Sequence, residues 1–328
     1  MERSGRGRSL IGLILFAYGA PESIDHLKEY YTHIRHGSAP SEQEMSATIR
    51  SYHRIGTADT LGAITKRQAA ALAQLLQSRV GEEVRGYAGF KHTPPFVEDT
   101  VRQMVRDGVD RIVTMAMTPL NSRTGTMLYR KKVDQTLEQL NESIPVVHVE
   151  NWHLHPLYLD VMTDRVKTAV QWLPEDARMN CTVIFTAHSQ PGKLERHEIY
   201  ATQFEELSEG VADRLRMPHV RFAKAYRSAG TKGEWLGPDV KEVIEDEARS
   251  GTKGIITCDL LSMTSNIEAV YDIGYDLQPI CEEAGMILIR TEFPNDSFDF
   301  MHAVSCIIEE TIAESNDFLL NGHNKSVS

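Results

Sequence analysis

The sequence predicts an α/β protein built from two similar doubly wound (Rossmann-like) domains, each a four-stranded parallel sheet flanked by helices. Three observations carry this expectation. Short, nearly continuous aliphatic runs alternate with longer stretches of helical spacing, the pattern of parallel strands covered on both faces. Eight such runs occur, and they divide into two sets of four around 151–156. The chain has 328 residues, 41% hydrophobic and 25% charged, enough for two cores of ordinary size.

The first run, 9–18, follows a short basic leader and breaks at Tyr18-Gly19-Ala20-Pro21. Its apolar part is about as long as a strand and runs straight into that turn and a charged helical pattern, so it reads as a strand and not as a targeting signal; no segment approaches the roughly 20 apolar residues of a membrane span. Strands at 84–90, 111–118 and 145–150 complete the first set; 181–187, 219–226, 254–261 and 286–291 form the second. Helical spacing fills 21–35, 62–78, 96–107, 126–140, 157–173, 198–215, 239–249 and 299–314. The expected domains are therefore 9–152 and 153–315, with the last helix packing back on the first domain. Residues 1–8 and 316–328 are expected to be disordered.

A net charge of −11 argues against nucleic acid and against an anionic membrane surface as partners. Cys181, Cys258, Cys281 and Cys306 lie far apart without a C-x-x-C pair, which fits reduced thiols in the cytoplasm, neither a disulfide framework nor an iron–sulfur cluster. There is no G-x-G-x-x-G after a strand, no P-loop and no H-E-x-x-H. Arg35-His36-Gly37 imitates a histidine-phosphatase signature, but it ends a helical stretch well past the first strand and reads as a helix terminus with a glycine cap.

Open parallel sheets bind ligands beyond the carboxyl ends of their strands. Tyr18, Phe90-Lys91-His92, Pro119–Arg123, His188 and the segment after Leu261 occupy such ends. His188 closes the apolar run CTVIFTAHSQP; a lone histidine there is more often a satisfied core residue than a reactive one. A second stretch, SNIEAVYDIGYDLQ, sets Glu268, Asp272 and Asp276 at i, i+4 and i+8, one stripe if the segment is helical. Such a stripe is either a solvated acidic face or a path for protons or a divalent cation. Gly274 within it points to an irregular turn.

Taken together, AYGAPES, EYYTHIRHG, the I-G…L…ITKRQ region at 55–68, GFKHTPPFVEDTV, ENWHLHP, TAHSQP, WLGPDV and IEAVYDIGYD resemble the ferrochelatase family, in its short soluble Gram-positive form. The resemblance implies insertion of Fe2+, as substrate, into a porphyrin (coproporphyrin III or protoporphyrin IX) within a cleft between the two domains. It implies no nucleotide or redox cofactor, and a monomer is expected. By the same resemblance His188 and Glu268 are catalytic, and Asp272, Asp276 and Tyr18 join them on the metal path. Tyr18, Arg35, Asp59, Gln68 and Tyr129 match substrate-binding positions, and Trp235 matches a wall residue.

The sequence also departs from the family. Asn266 stands where a histidine commonly precedes the glutamate, Asp59 replaces a serine near a porphyrin carboxylate, and Leu120 replaces a histidine of many short members. These departures keep open a non-catalytic tetrapyrrole binder, or a chelatase for another metal, beside the working ferrochelatase.

Overall fold

The computed structural model describes residues 9–55, 60–229 and 233–324. It contains two four-stranded sheets. The first holds β1 (Leu10–Ala17), β2 (Glu83–Phe90), β3 (Arg111–Ala116) and β4 (Val146–Val149) in the order β2-β1-β3-β4. The second holds β5 (Cys181–His188), β6 (Val220–Arg227), β7 (Gly254–Asp259) and β8 (Ile287–Arg290) in the order β6-β5-β7-β8. Every pairing is parallel. All eight expected strands are present, because a parallel strand buried on both faces must be apolar at nearly every position.

In each sheet the chain winds outward from the first strand on one side, then crosses to the other. The strand order therefore reverses between β1 and β3, and again between β5 and β7. Crevices open at such reversals, beyond the strand ends. The two crevices share one cleft, as Ala17 and Met117 from one sheet and His188 and Leu261 from the other line the same cavity.

Side chains alternate between faces along each strand. Leu13 and Leu15 of β1 enter one large core cluster with Val183 and Phe185 of β5, while Ile14 and Phe16 face a second cluster and Ile184 a third. The large cluster is thus continuous from one sheet to the other. Helix α12 (Phe298–Asn324) contributes Phe300, Val304, Ile307 and Ile308 to it. This helix packs on α3 (Leu61–Val80), on β4 and on α6 (Pro156–Trp172). Arg79–Glu309 at 2.9 Å and Arg165–Asp299 at 2.8 Å pin it at its edges.

Three differences from the sequence expectation stand out. The final helix continues to Asn324 where a disordered tail was expected from 316; residues 1–8 and 325–328 lie outside the described residues. A helix at Glu42–Ile55 (α2, following α1 at Leu27–Ile34) was not expected, because it is polar and buries only Tyr52. The acidic segment is helical in three pieces, α10 (Ile267–Tyr271), a π-helical turn at Asp272–Asp276, and α11 (Leu277–Glu283). Gly274 sits inside that wide turn, the irregularity its presence suggested.

Candidate active site

The shared cleft has a volume of about 610 Å³. Tyr18 at the end of β1, Tyr30 and Tyr31 of α1, Tyr52 of α2 and Trp235 supply flat apolar walls. Aromatic walls with a few convergent polar groups suit a flat conjugated ligand.

His188 ends β5 at the floor of this cleft. Its Nδ1 lies 2.5 Å from the Ser189 carbonyl, which can only accept, so Nδ1 carries a hydrogen and Nε2 faces outward. Tyr200 on α8 (Glu198–Leu215) donates to the His188 carbonyl at 2.8 Å and fixes the strand end. Nε2 then lies 3.3 Å from Oε1 of Glu268. The glutamate side chain is 55% exposed and the histidine 30%, so the pair opens to the cleft. Burial favours a neutral imidazole, but the hydrogen bond and charge of Glu268 outweigh it and hold His188 above its ordinary range. For Glu268, burial acts upward; the bond to His188 and the nearby charges of His188 and Arg227 win, taking the carboxyl down to about 2.

Asn266 caps α10: its Oδ1 accepts from the Ala269 amide at 2.9 Å. The position that departs from the family thus starts the helix that presents Glu268, the use to which asparagine is suited. Leu120 is fully buried in the large core cluster and lines the cleft floor.

Sequence reasoning placed Glu268, Asp272 and Asp276 on one ladder. The structure puts the last two at either end of the π turn, and each has a partner of its own. Asp272 accepts from the Ser228 hydroxyl and lies 3.5 Å from Arg227, while Asp276 faces Lys241 of α9 (Val240–Arg249) at 3.3 Å. Burial lifts Asp272 above the ordinary carboxyl range, although Ser228 and Arg227 oppose it. Among the described residues no three His, Cys, Asp or Glu side chains converge as a metal-holding group. The five residues expected on the metal path are one close pair, a cleft tyrosine and two separately engaged aspartates.

The expected substrate-binding residues also separate. Tyr18 is 44% exposed on the cleft wall, its ring 4.4 Å from that of His92. Burial first, and then the charge of Glu268, push its hydroxyl up to about 12, so it stays protonated. Tyr129 of α5 (Thr126–Leu140) lines the floor, stacked on Phe16 at 5.0 Å, and burial raises its hydroxyl strongly. Gln68 does not reach the cleft. It is fully buried, donating to the Asn295 carbonyl at 2.7 Å and accepting from Thr264 at 3.2 Å, a bolt between α3 and the second half of the chain. Arg35 is likewise outside the cleft lining, forked onto Glu44 at 3.0 and 3.1 Å. Asp59 lies outside the described residues.

Sequence reasoning missed a buried ion pair behind this site. Arg227, the last residue of β6, is 2% exposed and its Nη2 lies 2.8 Å from Asp259, the last residue of β7. The signal was present as an aspartate inside the apolar run GIITCDLL, a place where an acid needs a partner.

Two crossover sheets, a shared aromatic cleft and a histidine–glutamate pair at its floor define a chelatase-type α/β protein. Solved structures agree on the fold: SirB from Bacillus subtilis with Fe3+ superposes with a TM-score of 0.59 at 12% identity, covering 94% of this chain and 98% of that one. The ferrochelatase family model matches residues 10–312, and this chain belongs to the ferrochelatase family. Coproporphyrin III ferrochelatase of Listeria monocytogenes is 30% identical over 92% of this chain and 97% of its own length. That of Halalkalibacterium halodurans is 32% identical over 93% and 98%. A ferrochelatase of Deinococcus radiodurans is 30% identical over 93% and 96%.

Proposed function

We propose that this chain inserts Fe2+ into coproporphyrin III, a step of heme biosynthesis, with His188 and Glu268 as its catalytic pair. The observation that carries the proposal is the 3.3 Å approach of Nε2 to Glu268 at the floor of an aromatic cleft. Membership of the family supports iron insertion, and the names of the relatives at 30–32% identity support the coproporphyrin substrate.

Metallation takes two N–H protons from the ring as Fe2+ enters. With Nδ1 already donating to Ser189, the neutral form of His188 presents a single lone pair, on Nε2, to receive a ring proton. Glu268 stabilises the imidazolium so formed and offers oxygen to the incoming ion. Asp272 and Asp276 lie further along the same segment, engaged by Ser228 and Arg227 and by Lys241, and serve the released protons rather than hold the ion. The tyrosines and Trp235 hold the macrocycle by its faces, and binding energy from its periphery drives the distortion that exposes the nitrogen lone pairs. Four free cysteines support a reducing, cytoplasmic setting. No described helix is long and apolar enough to cross a membrane.

The test is anaerobic Fe2+ with free-base coproporphyrin III or protoporphyrin IX, followed by loss of porphyrin fluorescence. Turnover is expected, faster with coproporphyrin III. His188→Ala is expected to keep porphyrin binding and to lose insertion by about 100-fold or more. A spectral shift without turnover in the wild type would make the chain a tetrapyrrole binder, and wild-type turnover in His188→Ala would remove the assignment of the base.

A further inference from the structure

Strand register sets Arg227 of β6 directly beside His188 of β5, and both stand at the cleft end of the sheet. Asp259 grips the guanidinium through Nε at 2.9 Å and Nη2 at 2.8 Å. The other oxygen of Asp259 accepts from the amides of Leu261 and Ser262, each at 2.9 Å. The aspartate is thereby saturated. Nη2 also donates to Ser262 at 3.1 Å, which leaves Nη1 to face Ser228 at 3.2 Å and Asp272 at 3.5 Å. Ser228 adopts a left-handed backbone, with φ of 61°, and its hydroxyl donates to the same Asp272 oxygen that Arg227 approaches. The pair is an oriented dipole, its positive end on the acidic segment and its negative end satisfied within the sheet.

We propose that Arg227 is a positioning residue that serves as a built-in cation: anchored by Asp259, it occupies the place on Asp272 that a divalent ion would otherwise take, and so keeps metal residence in the cleft brief. A metal that is a substrate must leave its protein ligands for the macrocycle. Protein that held the ion as tightly before insertion as during it would gain nothing in turnover. Glu268 and His188 retain one oxygen-and-nitrogen landing point, while Arg227 and Ser228 deny the next carboxylate to a long-lived chelate. A guanidinium suits this post, since it stays charged and fills both sides of a fork at once. The inference rests on the reading of Glu268 and His188 as the residues that meet the metal.

The experiment titrates Mn2+ into the porphyrin-free protein, followed by electron paramagnetic resonance, beside kcat and KM for Fe2+. In Arg227→Gln/Asp259→Asn both charges of the buried pair vanish together, so net charge is conserved. We expect Mn2+ to bind at least about tenfold more tightly and KM for Fe2+ to fall with kcat, because one unit charge has left the neighbourhood of Asp272. Adding Asp272→Asn should erase the gain, whereas the same change in the wild type should move Mn2+ affinity by less than about twofold. Unchanged Mn2+ affinity in the double variant, or an equal effect of Asp272→Asn in both backgrounds, overturns the inference. Should the double variant not fold, Asp259→Asn alone carries the test with the opposite sign: an unanchored guanidinium presses harder on Asp272, so Mn2+ must bind more weakly, and tighter binding overturns it. Failure of the underlying reading looks different, since insertion would then survive His188→Ala.

Discussion

At the scale of single residues, the site is decided by which hydrogen bonds are already spent. His188 has one nitrogen committed to Ser189, so the other alone faces Glu268. In the proposed reaction the neutral imidazole is the form that accepts a ring proton, and Glu268 disfavours that form by raising its affinity for a proton. Glu268→Gln removes that influence and leaves burial and Arg227, which favour the neutral ring, against the weaker pull of the Ser189 carbonyl. The acidic limb of the pH profile of kcat/KM is therefore expected to move to lower pH, even as the rate itself falls; a move to higher pH would contradict the pairing. Sequence motifs in the right order singled out these two residues, and the structure brings them within 3.3 Å of each other. They could not tell where neighbouring side chains point. Gln68 and Arg35 lie in matching stretches of sequence yet turn to Asn295 and to Glu44, because helix position fixes a residue's height and not its tertiary neighbour. Arg227 escaped notice for another reason: a charge at the end of an apolar run simply looks like the end of the strand.

At the scale of elements, close backbone approach limits what can change. Gly86 of β2 lies under α3, where an added Cβ would stand 2.1 Å from the Ala69 carbonyl oxygen. Gly86→Ala must push helix from sheet and is expected to destabilise by about 1–3 kcal/mol, read by denaturant unfolding; a neutral result would mean that β2 and α3 separate freely. Strands were the legible elements, since burial on both faces leaves no polar alternation to confuse them. Helix α2 was not, as an element that covers a cleft with one buried tyrosine has no strong apolar stripe to announce it. The π turn lay between these cases: a glycine marked irregularity at 274, but the partner of Asp276, Lys241 of α9, is set by tertiary packing that the local sequence does not encode.

At the scale of the molecule, the two sheets share one continuous core in which α12 is embedded. Ile308 of that helix is fully buried. Ile308→Ala is expected to cost about 2–5 kcal/mol and to lower a single calorimetric transition as a whole; two separate transitions, only one of them shifted, would contradict the shared core. The same feature bears on how the protein is made. The strands of the first sheet end at Val149, yet the helix that seals them begins only at Phe298. A nascent chain must therefore carry an unfinished half through the synthesis of the other, an interval on the order of ten seconds at ordinary ribosome speeds. Arrival of α12, and not completion of either sheet, is the moment at which this fold closes.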